Sequence, residues 1–161
     1  MKICVLYDSV TGNTKMLADV IEKKYMGTLT DDPADADVVF LGSWTDKGSF
    51  SEKMKEQAEK IHGKKVFIFG TCGFGGSEEY YGKLFERAAG LLDESDEIIG
   101  HYYCQGKMPM SVKERYVAML REHPEDKRMQ VSLQNFEEAL THPDQKDLER
   151  LSEILDELKL A

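Results

Sequence analysis

The chain has 161 residues, enough for one domain with a sizeable hydrophobic core. Hydrophobic residues make up 41% and charged residues 32%, a composition that argues against an intrinsically disordered chain. The formal net charge of −9 argues against a nucleic-acid backbone as partner, because phosphates bind to basic patches. An acidic surface can instead attract a basic protein surface.

Targeting and cross-linking signals are absent from the sequence. No segment approaches the roughly 20 apolar residues that cross a bilayer, and the apolar N-terminal run is interrupted at Asp8, which argues against a signal peptide. The 3 cysteines form no CxxC pair, and the 4 histidines share no ligand spacing. We therefore expect neither a disulfide framework nor a metal site, and we expect a cytoplasmic protein.

Short apolar runs predict a parallel β-sheet. Lys2–Tyr7 is the first strand, and Thr28–Thr30 is a short and weak second one. Asp37–Gly42 and Lys65–Gly70 are apolar on both faces, as buried parallel strands are. Glu97–Cys104 completes a sheet of five strands.

Helical periodicity follows most of these strands, which is typical of a doubly wound α/β domain. Residues 107–142 break the alternation, and we interpret them as a helical insertion before the C-terminal helix, within a single domain that spans 1–161. The predicted helices centre on Leu17–Tyr25, Phe50–Ile61, Tyr81–Leu92, Met110–Arg121, Ser132–Leu140 and Leu148–Leu158, the last with Pro143 and Asp144 as its start signal.

Each long strand is followed by a loop rich in glycine, serine and threonine. The loops read SVTGNT at 9–14, SWTDKGS at 43–49 and TCGFGGS at 71–77. Ligands of open α/β sheets bind outside the carboxyl ends of the strands, where such loops converge. The three loops therefore predict one shared binding site.

The first loop has the properties of a phosphate site. A helix that begins near Asn13 directs backbone N–H groups and the positive end of its dipole to one point. Ser9, Thr11, Asn13 and Thr14 add side-chain donors, and Gly12 allows a close approach. The loop lacks both the GxxxxGK[ST] and the GxGxxG patterns, which argues against a P-loop or a dinucleotide site. The alternative is an ordinary capped turn.

The other two loops carry aromatic residues. Trp44 offers a flat surface on which a ring can stack, or it packs under a helix. Phe74 stands among glycines, and Tyr80 and Tyr81 open the next helix. One of these aromatic residues can cover the side of a ring opposite Trp44, or Tyr81 belongs to the core and Phe74 fills the loop. Cys72 is interpreted as a small buried residue rather than a nucleophile, because no histidine lies near it in sequence.

This order of strand, SVTGNT turn, aromatic loop and glycine-rich loop resembles the flavodoxin family, over about residues 1–106 and the final helix. The resemblance implies a flavodoxin-like parallel sheet with strand order 2-1-3-4-5 and FMN as cofactor, with the phosphate in the turn and the ring against Trp44. The candidate cofactor-binding residues are Ser9, Val10, Thr11, Gly12, Asn13, Thr14, Ser43, Trp44, Thr45, Asp46, Gly48, Cys72, Gly73, Phe74, Gly75 and Tyr81.

The resemblance implies an electron carrier that passes electrons between a reductase and a redox enzyme, docks a basic partner and is a monomer rather than a dimer. The alternative is a flavodoxin-fold NAD(P)H-dependent quinone or flavin reductase, for which residues 107–142 could provide a pocket. A flavin-free binding module is a third class. The C-terminal third, from CQGKMPMS onward, resembles short flavodoxin-like proteins of anaerobes, some of which accompany flavin reductases, including bilirubin reduction systems.

Overall fold

Strands and helices alternate along most of the chain in a computed structural model that describes residues 1–75 and 77–160. The strands are β1 (Ile3–Asp8), β2 (Val38–Asp46), β3 (Ser49–Phe50), β4 (Lys65–Cys72) and β5 (Glu97–Gln105). The helices are α1 (Asn13–Lys24), α2 (Glu52–Glu59), α3 (Glu78–Ala89), α4 (Met110–Glu122), α5 (Lys127–Ala139) and α6 (Gln145–Leu158). None of the helices in these ranges combines the length and the apolarity that a bilayer crossing requires.

The sheet has the predicted parallel order. β1, β2, β4 and β5 are neighbours in that sequence and run parallel. The predicted second strand is reduced to one parallel bridge between Ile3 and Leu29, on the outer edge of β1, which confirms the order 2-1-3-4-5. Sequence analysis missed β3, a two-residue strand that pairs antiparallel with the end of β2.

Helices cover both faces of the sheet because alternate strand residues point to opposite sides. On one face, Val39 and Leu41 pack in a cluster with residues of α2 and α3. On the other face, Val38 and Phe40 pack with residues of α1 and α6. The first four of the six consecutive buried residues of β2 therefore divide between two cores, as expected for a central parallel strand.

Side-chain caps explain where several helices begin. The Ser51 hydroxyl caps α2 by accepting from the Met54 N–H, and the Ser77 hydroxyl caps α3 by accepting from the Tyr80 N–H. Asp144 caps α6 in a reciprocal capping box with Asp147, close to the predicted start signal.

The predicted insertion is a helical hairpin made of α4 and α5. α5 begins at Lys127, earlier than predicted, because the Asp126 carboxylate accepts from the N–H groups of Arg128 and Met129. α5 buries Phe136 and Ala139, whereas α4 buries none of its residues. The hairpin is thus attached to the domain mainly through α5 and through the segment that leads into α4.

Candidate functional site

A cleft of about 470 Å³ lies at the carboxyl edge of the sheet, where the loops after β1, β2, β4 and β5 meet. The volume is typical of small-molecule sites in proteins. The cleft is lined by Val10, Thr11, Asn13, Trp44, Thr45, Lys47, Gly48, Thr71, Cys72, Gly73, Phe74, Tyr80, Gly106, Lys107, Met108, Pro109, Val112 and Arg115.

The glycine turn at the start of α1 presents a helix N-terminus to this cleft. Gly12 is the N-cap residue with a φ of 88°, a left-handed conformation that favours glycine, and it supplies no side-chain cap. The first N–H groups of a helix have no partner within the helix, so they attract an anion. Ser9 lies outside the lining, and its hydroxyl accepts from the Lys15 N–H at 3.2 Å.

Most of the polar side chains in the turn bond to neighbouring segments. The Thr14 hydroxyl lies 3.0 Å from the Thr71 hydroxyl and is fully buried, outside the cleft lining. The Asn13 amide nitrogen donates to the Lys107 carbonyl at 2.8 Å, and the Thr11 hydroxyl approaches the same carbonyl at 3.4 Å. Asn13 is only 6% exposed, and its Oδ1 atom has no hydrogen-bond partner among the described residues. Such a buried acceptor calls for a ligand donor.

Trp44 is oriented by the first strand. Its indole N–H donates to the Asp8 carboxylate at 3.0 Å, and the half-buried side chain lines the cleft. The Thr45 hydroxyl donates to the Thr71 carbonyl at 2.8 Å, which ties the loop after β2 to β4. The hydrogen bond to Asp8 fixes the N–H edge of the indole, while the residue still lines the cleft. Trp44 is therefore both packed against its neighbours and available as a stacking surface.

Of the remaining predicted residues of the second loop, Ser43 and Asp46 lie outside the cleft lining and Gly48 lies within it. Ser43 is 1% exposed and outside the lining, and its hydroxyl donates to the Trp44 carbonyl at 2.6 Å. Asp46 pairs with Ser49 in the short hairpin of β2 and β3, also outside the lining. Gly48 reaches the cleft, and its carbonyl accepts from the Arg87 guanidinium at 2.9 Å.

The third loop is held from the side of the hairpin. The Gly73 carbonyl accepts from the Gln105 amide at 3.0 Å and from the Asn135 amide at 2.9 Å. Phe74 lines the cleft and is 47% exposed, so its ring is available to a ligand or a partner. Gly75 lies outside the lining and beside Gln105. A Cβ atom at Gly75 would come within 2.6 Å of the Gln105 side chain.

The aromatic residue that α3 contributes is Tyr80. Sequence analysis favoured Tyr81, yet Tyr80 lines the cleft. Both tyrosines pack against the core cluster that includes Leu84. The phase of a helix relative to the sheet decides which of two adjacent tyrosines faces the cleft, and that phase depends on tertiary packing.

The segment between β5 and α4, together with the first turns of α4, forms a further wall of the cleft, and none of its residues was among the predicted cofactor-binding residues. The Gly106 N–H donates to the Cys72 carbonyl at 2.9 Å, and the Lys107 N–H donates to the His142 carbonyl at 3.0 Å. These bonds turn the chain across the sheet edge toward the β1–α1 turn. Met108 lines the cleft with Pro109.

A sequence model of the flavodoxin domain matches residues 4–156. The chain belongs to the flavodoxin family. It is similar to the flavodoxin-like domain-containing protein BilS of Clostridioides difficile, with 37% identity over 92% of this chain and 90% of that protein. The BilS protein of Clostridium symbiosum is 33% identical over 96% of this chain and 94% of its own length.

Solved flavodoxin structures show the same fold. The flavodoxin of Streptococcus pneumoniae TIGR4 superposes with a TM-score of 0.59 and 15% identity, over 98% of this chain and 97% of that one. Oxidised Flavodoxin 2 of Bacillus cereus superposes with a TM-score of 0.54 and 19% identity, over the same shares of the two chains.

The charges that line the cleft of this flavodoxin differ from those of the whole chain. The net charge is −9, yet the lining contains the cationic residues Lys47, Lys107 and Arg115 and, among the described residues, no carboxylate. A cleft of this composition favours an anionic ligand.

The cysteines of this flavodoxin are unreactive by environment. Burial raises the pKa of Cys72 from 9.0 to about 12, and burial likewise raises the pKa of Cys104. Burial, followed by the charges of Asp31 and Asp32, raises the pKa of Cys4 to about 11. Because the thiolate is the nucleophile, Cys72 lines the cleft as an apolar surface and not as a catalytic group.

Folding also brings together His142, Asp144 and Asp147, whose ligand atoms lie within 4.8 Å of one another. The sequence spacing of the histidines did not predict this cluster. The His142 ring nitrogen lies 2.7 Å from an Asp147 carboxylate oxygen, and both carboxylates belong to the capping box of α6. The three side chains thus satisfy one another as a helix cap.

Proposed function

We propose that this flavodoxin binds FMN in the cleft and passes electrons between a reductase and a redox enzyme. The observation that carries the proposal is the cleft itself. It combines the glycine turn at the N-terminus of α1 with aromatic side chains from two further loops, Trp44 and Phe74, at the carboxyl edge of the sheet. This is the place where doubly wound folds bind flavin nucleotides.

The residues present fit FMN. The N-terminus of α1, without a side-chain cap, suits the phosphate. The orphaned Asn13 Oδ1 atom suits a hydroxyl donor such as those of the ribityl chain. The apolar surfaces of Trp44, Phe74 and Tyr80 suit a planar ring.

When bound, FMN supplies the redox chemistry. The protein orients the ring and limits its contact with water. Trp44 is pre-positioned for this role because its N–H is already bonded to Asp8, so little side-chain freedom is lost on binding. The 47% exposure of Phe74 leaves the third loop accessible, as electron exchange with another protein requires.

The partner is proposed to be a redox protein with a basic docking surface. The chain carries 30 acidic and 21 basic residues. Glu78 and Glu79 form the exposed first turn of α3, immediately after the third loop. Complementary charge steers association, so the rate of electron transfer to such a partner should fall as the salt concentration rises.

Absorption spectroscopy tests the proposal. The purified full chain is titrated with FMN, and the bound flavin is then reduced stepwise by dithionite without oxygen. Shifted flavin bands and separate one-electron steps are expected of a carrier. Failure to bind FMN would refute the proposal. The variant Trp44→Ala should weaken FMN binding by about tenfold or more, and Trp44→Phe should recover most of the affinity because a stacking surface is kept.

The composition of the cleft supports a second candidate, an NAD(P)H-dependent quinone or flavin reductase. Val112 and Arg115 of α4 extend the cleft beyond the loops, and Arg115 could hold an anionic substrate. Steady oxidation of NADH or NADPH by the FMN-loaded protein alone, with a quinone as acceptor, would support this candidate over the carrier. NAD(P)H oxidation that requires an added reductase would support the carrier.

A further inference from the structure

We infer that Lys107 supplies the positive charge for the FMN phosphate that the β1–α1 turn lacks, and that it thereby selects FMN over riboflavin. The inference rests on the proposed function. It gives the segment between β5 and α4 a defined role in cofactor recognition.

The turn has no free cation of its own. SVTGNT contains no lysine or arginine, and the first basic residue after it is Lys15. The Lys15 ammonium is bonded to both carboxylate oxygens of Asp19, at 3.1 and 2.9 Å, on the exposed side of α1. A doubly charged phosphate in the turn therefore meets only N–H dipoles and hydroxyl groups from the turn itself.

The polar side chains of the turn are largely committed elsewhere. Asn13 donates to the Lys107 carbonyl, and the Thr14 hydroxyl is paired with Thr71. Thr11 makes a longer bond of 3.4 Å to the same Lys107 carbonyl. This leaves mainly the main-chain N–H groups for the phosphate, so a source of positive charge outside the turn would add most to its binding.

Lys107 is the cleft cation whose backbone is joined to the turn. Its carbonyl accepts from Asn13 and Thr11, and its N–H donates to the His142 carbonyl at 3.0 Å. The preceding Gly106 packs so closely that a Cβ atom there would lie 2.4 Å from the Asn13 amide nitrogen. The Lys107 side chain, which lines the cleft, therefore starts beside the phosphate position.

The other cleft cations have different locations. Lys47 lies in the turn between β2 and β3, and Arg115 lies on α4. Neither has a hydrogen bond to the β1–α1 turn in the described part of the chain. The lysine side chain is flexible and its ammonium group acts as a point charge, so it can approach a phosphate without a fixed geometry.

The affinities for FMN and riboflavin test whether Lys107 binds the phosphate. We would measure dissociation constants of FMN and riboflavin from flavin fluorescence, at low ionic strength, for the full chain and for Lys107→Met. FMN should bind about fivefold more weakly to the variant, a size typical of an exposed charge pair. Riboflavin, which lacks the phosphate, should bind within about twofold of wild type. Lys107→Arg should retain the preference for FMN.

A matched control removes one lysine charge far from the cleft. Lys23 is exposed in the last turn of α1, at the end opposite the glycine turn. Lys23→Met should leave both affinities unchanged if the effect is local. A comparable loss of FMN affinity in Lys23→Met would overturn the inference in favour of net charge.

Two other outcomes would also overturn it. Equal loss of FMN and riboflavin affinity in Lys107→Met would indicate that the residue only shapes the cleft. Unchanged affinity for both flavins would show that Lys107 does not meet the phosphate, while the proposed function would still stand. A wild-type chain that binds neither flavin would refute the proposed function, and the inference with it.

Discussion

The two walls of the cleft have different origins. One wall consists of the loops after β1, β2 and β4, and of these strands β2 and β4 are buried on both faces. The other consists of the segment between β5 and α4 with the start of α4, a helix that buries none of its residues. The first wall is therefore set by the strands, which form the frame of the domain, whereas the second wall is set by contacts of individual residues in the segment between β5 and α4.

The register of the parallel strands determines the geometry of the first wall. Asp8 is aligned with Ser43, and Ser43 with Gly70, so the strand ends lie side by side. The second wall depends on individual hydrogen bonds, such as those from the Gly106 N–H to the Cys72 carbonyl and from the Lys107 N–H to the His142 carbonyl. We therefore expect mutations in the frame to affect global stability, and mutations in the second wall to affect the cleft locally.

The largest effect should come from the frame. Phe40 is fully buried, and its ring contacts those of Tyr25 and Phe67 at centroid distances of 5.5 and 5.1 Å. Phe40→Ala should lower the free energy of unfolding by about 3–5 kcal/mol, because it removes a large side chain and leaves a cavity. Val131, which is 63% exposed on α5, is the control. Val131→Ala should change the free energy of unfolding, measured in urea, by less than about 0.5 kcal/mol. Equal losses in the two variants would refute the expected difference between the frame and the hairpin.

The junction between the walls should be the next most sensitive point. In Gly106→Ala the new methyl group would meet the Asn13 side chain, so the Lys107 segment must shift. The expected loss of stability is about 1–3 kcal/mol, with weaker FMN binding.

Gly82 provides the control for this junction variant. A Cβ atom at Gly82 in α3 meets nothing within 4 Å, and Gly82→Ala should stabilise the chain by about 0.5–1 kcal/mol. FMN affinity that is the same in Gly106→Ala as in wild type would show that the two walls are independent.

Removal of one hydrogen-bonding side chain should loosen the third loop without loosening the sheet. Asn135→Ala deletes an amide that donates to Gly73 and accepts from Gln105. We expect a cost of about 1 kcal/mol. Amide hydrogen exchange should accelerate in the third loop and in α5 while β2 and β4 keep their protection. Acceleration throughout the sheet would instead indicate a single cooperative unit.

The smallest effect is a dependence on alkaline pH. Because burial raises the pKa of Cys72 from 9.0 to about 12, the folded state keeps this thiol neutral while the unfolded chain ionises. The stability is fully present below the unfolded pKa and is lost as the pH rises toward the folded one. Between about pH 8 and about pH 9 the free energy of unfolding should fall by about 0.4 kcal/mol more in wild type than in Cys72→Ala. Parallel curves would contradict this assignment.

Much of the frame could be predicted from local patterns. The apolar runs located β1, β2, β4 and β5, and the central strands β2 and β4 are apolar on both faces, as central parallel strands must be. The glycine turn was recognised because few residues other than glycine adopt the conformation of Gly12. The second strand was predicted as three residues and formed one bridge, since an edge segment is defined by its pairing and not by its composition.

The sequence by itself indicated the class of fold and a ligand site after the strands, because periodicity and turn chemistry act between near neighbours in the chain. The strand order was implied by the resemblance to the flavodoxin family, and the structure confirms it. Only the tertiary structure decided that Tyr80 rather than Tyr81 lines the cleft, and that Lys107 lies against the β1–α1 turn. Those facts depend on helix phase and on contacts between Lys107 and residues more than 90 positions away, which no local pattern encodes.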